Sequence, residues 1–185
     1  MPYSSDAFDH WIGSMLDLLQ PTKILDIGPG AGKNVRIVCE AEGRSGFEAH
    51  VTGIEIDESY VKKFKLRKIY DEVIVADAIT LIEQPGIRFD LVMIGDCIEH
   101  MRKSAGIDLL NFLIYRCGYI SIVYPDSFIQ DDWEGHAAEA HISTWSPTDF
   151  SGWDFVHHSW SAMHMYLIKG YQPSRTTITG LLNRH

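Results

Sequence analysis

Three carboxylates each close a short apolar run, where each can meet a polar group of a ligand. Asp26 ends the first run, Lys23-Ile24-Leu25, and opens the turn Ile27-Gly28-Pro29-Gly30-Ala31-Gly32. Glycines let a backbone turn sharply and approach a ligand with no side chain in between. The spacing is D-x-G-x-G-x-G, which differs from the G-x-G-x-x-G of nicotinamide and flavin sites. A carboxylate two residues before the first glycine can anchor the loop and face an ammonium group. Glu55, in Gly53-Ile54-Glu55-Ile56-Asp57, lies 29 positions after Asp26. One carboxylate accepts two hydrogen bonds, so it can take both hydroxyls of a ribose. Asp77 follows Val73–Ala76 and can accept from an exocyclic amine, with the Ala78 N–H beside it. A fourth run, Phe89–Ile94, leads to Gly95-Asp96-Cys97-Ile98-Glu99-His100. Glu99 and His100 are candidate general bases for a hydroxyl or amine that loses a proton. His141 follows His100 by 41 positions.

The elements that must hold these groups alternate between apolar runs and helical ones. Such alternation predicts an α/β fold, a Rossmann-like three-layer sandwich around a mostly parallel sheet. A first helix starts near Ser5 and puts Phe8, Trp11, Ile12, Met15, Leu16 and Leu19 on one face. Helices are expected over about 33–42, 58–68 and 104–116. Strands are expected over about 23–28, 50–56, 73–76, 89–94, 119–124, 154–160 and 163–170. The last two are joined by a short turn at Ser161-Ala162, so they should run antiparallel. That makes seven strands with the last reversed. Residues 126–152 are polar and weakly periodic, and long irregular connections of this kind often build binding loops. They hold Trp133, His136, His141 and Trp145, and Ser146-Pro147 looks like a short helix start. In open sheets of this class, ligands bind where the strand ends converge.

A chain of 185 residues fits one domain, 1–185, with a substantial core. No apolar run approaches the length of about 18 residues that a membrane span needs. The first twenty residues carry Asp6, Asp9 and Asp17 and no lysine or arginine, unlike a secretory leader. Cys39, Cys97 and Cys117 are scattered and odd in number, which suits free thiols in a cytoplasmic protein. The formal net charge of −9 repels a phosphate backbone, so nucleic acid is a disfavoured partner. The cluster Lys62, Lys63, Lys65, Arg67 and Lys68 reads as a solvated helix face.

The motifs Leu25–Gly32, Gly53-Ile54-Glu55, Ala76-Asp77-Ala78 and Phe89–Ile94 resemble those of class I S-adenosylmethionine (SAM)-dependent methyltransferases, over residues 20 to 170. The resemblance implies SAM as cofactor and methyl transfer as the reaction. It implies cofactor contacts from Asp26, Gly28, Pro29, Gly30, Gly32, Glu55, Ile56, Asp77, Ala78 and Asp96. Residues 1–20 would form a helix over the cofactor, and 126–152 the acceptor side. The run Asp96-x-x-Glu99-His100 with the later His141 is similar to the metal site of small-RNA 2′-O-methyltransferases and of some quinone O-methyltransferases. On that resemblance Asp96, Glu99, His100 and His141 would hold Mg²⁺, Mn²⁺ or Fe²⁺. Asp96 stands one methylene shorter than the Glu usual there, and the acidic chain lacks a basic RNA-binding region. The expectation is therefore a methyltransferase for a small-molecule acceptor, at oxygen, with Glu99 and His100 catalytic. The alternatives are an RNA or other macromolecule methyltransferase with a divalent metal, and a SAM-binding partner protein without turnover. A nicotinamide oxidoreductase conflicts with the glycine spacing, and Asp26 argues against aminopropyl transfer.

Overall fold

The computed structural model describes residues 5–126, 129–132, 135–174 and 176. Trp133 lies outside them. Helix α1 (Asp9–Leu19) precedes β1 (Lys23–Ile27), α2 (Lys33–Ser45), β2 (His50–Glu55), α3 (Glu58–Lys63) and β3 (Glu72–Val75). Then come β4 (Phe89–Gly95), α4 (Lys103–Ile114), β5 (Cys117–Pro125), β6 (Phe155–Trp160) and β7 (Met163–Lys169). All seven strands form one sheet in the order β3-β2-β1-β4-β5-β7-β6. Strands β1 to β5 pair in parallel, and β7 runs antiparallel to both β5 and β6. This is the predicted sheet, with the last strand inserted between its two neighbours.

The strands at the centre are apolar along their whole length because both faces are covered. β5 is buried at eight consecutive positions. One face packs α1 and α2 through Leu16, Val35, Val38 and Ala41. The other packs α4 through Leu109, Leu110 and Leu113, joined by Leu81. Two helical expectations differ in detail. The helix from 58 breaks at Lys65, which has a positive φ of 55°, and resumes as a 3-10 turn, Leu66–Lys68. The stretch after Asp77 is also a 3-10 helix, Ala78–Glu83, capped by Asp77 Oδ1 accepting from Ile79 N at 3.0 Å.

The switch between strand directions from the centre falls between β1 and β4, and the carboxyl ends of β1, β2, β3 and β4 open together there. That is the crevice where open α/β sheets bind ligands. All three cysteines are free thiols. No helix among the described residues is long and apolar enough to cross a membrane.

Candidate active site

The glycine turn takes its shape from Asp26. This carboxylate is fully buried at the end of β1. Tyr70 Oη donates to its Oδ2 at 2.5 Å, and Asn34 Nδ2 donates to its Oδ1 at 2.8 Å. One side chain thereby ties the turn to the start of α2 and to the segment before β3. Burial pushes the Asp26 carboxyl up to about 6, against the lowering effect of these two donors. Gly28 N donates to Ile54 O at 3.0 Å, pinning the turn to β2. Gly28 has φ 69°, and a Cβ there would stand 2.5 Å from Cys97 Sγ. Only glycine fits that close approach without a shift.

Around the turn lies a crevice of about 350 Å³. Gly28 and Gly30 form one wall, Glu55 and Ile56 the next, Asp77 and Ala78 the third, and Asp96 the fourth. The structure thus brings seven of the ten predicted cofactor residues into one cavity. Asp26, Pro29 and Gly32 stand behind it: Asp26 supports the turn, and Gly32 N donates to Pro29 O at 2.8 Å before α2 begins. Glu55 accepts from Gly30 N at 3.3 Å and from Asp57 N at 3.0 Å, and burial raises its carboxyl. These amides fix the carboxylate at the crevice rim, where its remaining lone pairs suit a pair of hydroxyls.

Beyond β4, the 3-10 turn Ile98–His100 divides the crevice from a second cavity. His100 lines the crevice, whereas Glu99 and His141 line the second cavity, which measures about 590 Å³. Ile142 touches both. His100 Nδ1 lies 3.1 Å from Ala140 O. A carbonyl only accepts, so Nδ1 carries the hydrogen and Nε2 keeps its lone pair. Burial lowers the His100 pKa, which holds the ring neutral. Glu99 is 4% exposed, and its Oε2 has no hydrogen-bond partner. Burial first, and the charge of Asp96 second, push its carboxyl up to about 8. A buried carboxylate oxygen without a partner is costly unless a ligand, ion or proton meets it. Glu99, His100 and His141 can each offer one ligand atom, all within 4.8 Å of one another.

Asp96, the fourth expected ligand, is not part of that group. It sits on the crevice side with φ 46°, and its Oδ2 accepts from Ser5 N at 3.0 Å. Its backbone points the side chain toward the amino-terminal segment. Helix α1 also differs from expectation. It packs on α2 and the core through Ile12, Met15, Leu16 and Leu19, and none of its residues lines the crevice. Trp11 stacks on His158 at the far side of the sheet, 4.2 Å between ring centroids. Among the described amino-terminal residues, Ser5 alone reaches a predicted site residue through a hydrogen bond to Asp96.

The loop at 126–152 serves both cavities. Its 3-10 turn Ala137–Glu139 closes over the crevice, with His136, Ala138 and Glu139 in the lining. His136 Nδ1 donates to Asp57 Oδ2 at 2.6 Å. His136 belongs to the loop expected on the acceptor side, and the structure sets it in the lining of the glycine-turn crevice instead. Farther along, Ile142 N and Ser143 N donate to Glu99 O at 3.0 and 3.1 Å, and Trp145 Nε1 donates to Ile98 O at 3.2 Å. Asn34, Tyr70, Asp57 and Glu139 are site residues that the sequence reading missed. Asn34 sits two residues past the last glycine, which is a usable local signal. The others are brought in by tertiary contacts alone.

Residues 25–110 match the family model described as a methyltransferase domain. No curated protein matches the sequence. Among solved structures, the fold is similar to the N-terminal domain of EvdMO1 with SAH bound, at TM-score 0.62 and 15% identity over 91% of this chain and 83% of that one. It is similar to the plantazolicin methyltransferase BpumL in complex with SAH, at TM-score 0.60 and 16% identity over 89% and 82%. It is also similar to an O-methyltransferase family protein from Burkholderia thailandensis, at TM-score 0.59 and 11% identity over 89% and 57%. Residues 25–110 are therefore similar to a methyltransferase domain, and the sheet has the fold of the class I SAM-dependent methyltransferases.

Proposed function

We propose that this protein methylates an oxygen of a small-molecule acceptor, with SAM bound in the crevice and the acceptor in the second cavity. The observation that carries the acceptor half is the buried, unpartnered Glu99 Oε2 on the wall between the two cavities. Glu55 would hold the ribose hydroxyls and Asp77 the adenine amine, while the amides of the glycine turn face the methionine portion. SAM, when bound, supplies a methyl group on a sulfonium leaving group. The acceptor oxygen displaces it in line: an O–C bond forms, the C–S bond breaks, and its electron pair stays on sulfur. Neutral His100, through Nε2, or Glu99 in its ionised form would take the acceptor proton. The fold's main contribution is to position the two reactants and exclude water.

A second reading of the same group is favoured by its donor set. One carboxylate oxygen of Glu99 and one ring nitrogen each of His100 and His141 lie within 4.8 Å of one another and suit Mg²⁺, Mn²⁺ or Fe²⁺. Such an ion would lower the pKa of an acceptor hydroxyl. The small-molecule class is supported by the net charge of −9 and by the modest size of the second cavity. Oxygen is supported by the O-methyltransferase description of one structural neighbour. The three free cysteines support a reducing compartment such as the cytoplasm. The test is transfer of label from methyl-tritiated SAM into a cell extract split by size. Label in the low-mass fraction, lost in Glu99→Gln, is the expected result. Label confined to RNA or protein would overturn the acceptor class.

A further inference from the structure

Five carboxylates line the crevice: Glu55, Asp57, Asp77, Asp96 and Glu139. Glu55 is held by two backbone amides at the ribose position. Asp57 accepts from Ser59 N through Oδ1 and from His136 through Oδ2. Asp77 caps the following 3-10 helix, and Asp96 accepts from Ser5 N. Glu139 comes from the loop that closes the crevice, is 9% exposed, and lies beside the Tyr60 side chain.

Its place along the crevice is set from both ends of that loop. On one side, three residues back, His136 is latched to Asp57, two residues from Glu55. On the other, three residues on, Ile142 N is bonded to Glu99 O. Gln130 Nε2 donates to Glu139 O at 2.6 Å, and Glu139 N donates to His136 O at 3.0 Å, so the backbone between is fixed. Glu139 lines the crevice together with Glu55 on the ribose side and His100 on the acceptor side. In SAM the sulfur is the atom that stands between the ribose and the acceptor.

We propose that Glu139 faces the sulfonium and makes the crevice prefer SAM to its product S-adenosylhomocysteine (SAH). This rests on the reading of the crevice as a SAM site. The two ligands differ by one methyl group and one positive charge, at the atom nearest Glu139. A buried carboxylate a few ångströms from that charge, in a partly desolvated site, is worth about ten- to a hundredfold in affinity. It adds nothing comparable for the neutral thioether. The preference would help the product leave after each transfer.

The experiment is calorimetric titration with SAM, SAH and sinefungin, whose ammonium stands where SAM carries its sulfonium. It is run in chelator so that no metal contributes. In Glu139→Gln, SAM and sinefungin should weaken by about tenfold or more, equivalent to about 1.4 kcal/mol. SAH should stay within about twofold. Glu139→Asp, which keeps the charge, should retain a preference for SAM that the glutamine variant has lost. The proposal is overturned if all three ligands weaken together in Glu139→Gln, or if SAM is unaffected. Failure of the unaltered protein to bind any of the three would instead sink the cofactor reading on which it stands.

Discussion

Replacing Asp26 with asparagine keeps the side chain's shape and removes its charge. Asn34 can still donate to the amide oxygen, and the Tyr70 hydroxyl can turn to accept from the new NH₂. The magnitude follows from the carboxyl's shift from 3.8 to about 6 in the fully buried site. At about 1.4 kcal/mol for each tenfold change in acidity, the ionised group costs the folded state about 3 kcal/mol. Asp26 binds its proton more tightly in the folded chain than in the unfolded one. The stability this confers is complete below about pH 3.8 and is lost as pH rises through about 6. Asp26→Asn should therefore be more stable than the natural protein by about 2–3 kcal/mol near pH 7.5, and the gap should close toward pH 4. Urea unfolding at several pH values measures this directly. Because Asp26 lines no part of the crevice, SAH affinity should change by less than about threefold. A variant that is less stable at every pH would refute the burial argument. A loss of affinity of about a hundredfold would show that the carboxylate meets the ligand's ammonium after all.

Gly28→Ala places a methyl 2.5 Å from Cys97 Sγ on a backbone at φ 69°, so it should lose about 1–3 kcal/mol of stability and weaken SAH binding. Adding Cys97→Ala should return part of the loss but not the backbone strain, as thermal melts of the three variants would show. Glu99 is held up to about 8, so at pH 7 an incoming ion must displace its proton. Mn²⁺ affinity should therefore rise with pH between about 6 and 8, and His141→Ala should lower it at least tenfold by calorimetry. Mn²⁺ binding that ignores both pH and His141 would place the ion elsewhere.

The parts of this site that were legible in the sequence are the parts fixed by local chain geometry. Gly28, Glu55 and Asp77 each follow an apolar run, and a parallel sheet carries the ends of successive runs to one edge. The antiparallel pairing of the last two strands follows from the short Ser161-Ala162 turn. What could not be read depends on contacts between distant residues. Asp26 lies next to the glycines in sequence, yet Tyr70, 44 residues away, turns it inward. His136 and His141 are five residues apart in one polar loop, yet they serve different cavities, because Asp57 holds one and the Glu99 backbone holds the segment after the other. Helix α1 has an apolar face that would suit a lid as well as a core. Its burial against α2 is a matter of tertiary packing that no spacing encodes.

The most direct test of the central claim is calorimetric titration of the purified protein with SAH, alongside Glu55→Ala. The carboxylate of Glu55 is fixed by Gly30 N and Asp57 N at the place proposed for the ribose hydroxyls. The account predicts stoichiometric binding to the unaltered protein and a loss of about a hundredfold or more in the variant, which forfeits two charge-assisted hydrogen bonds. Equal affinity in the two proteins, or no binding to either, would contradict the assignment of this crevice as the SAM site.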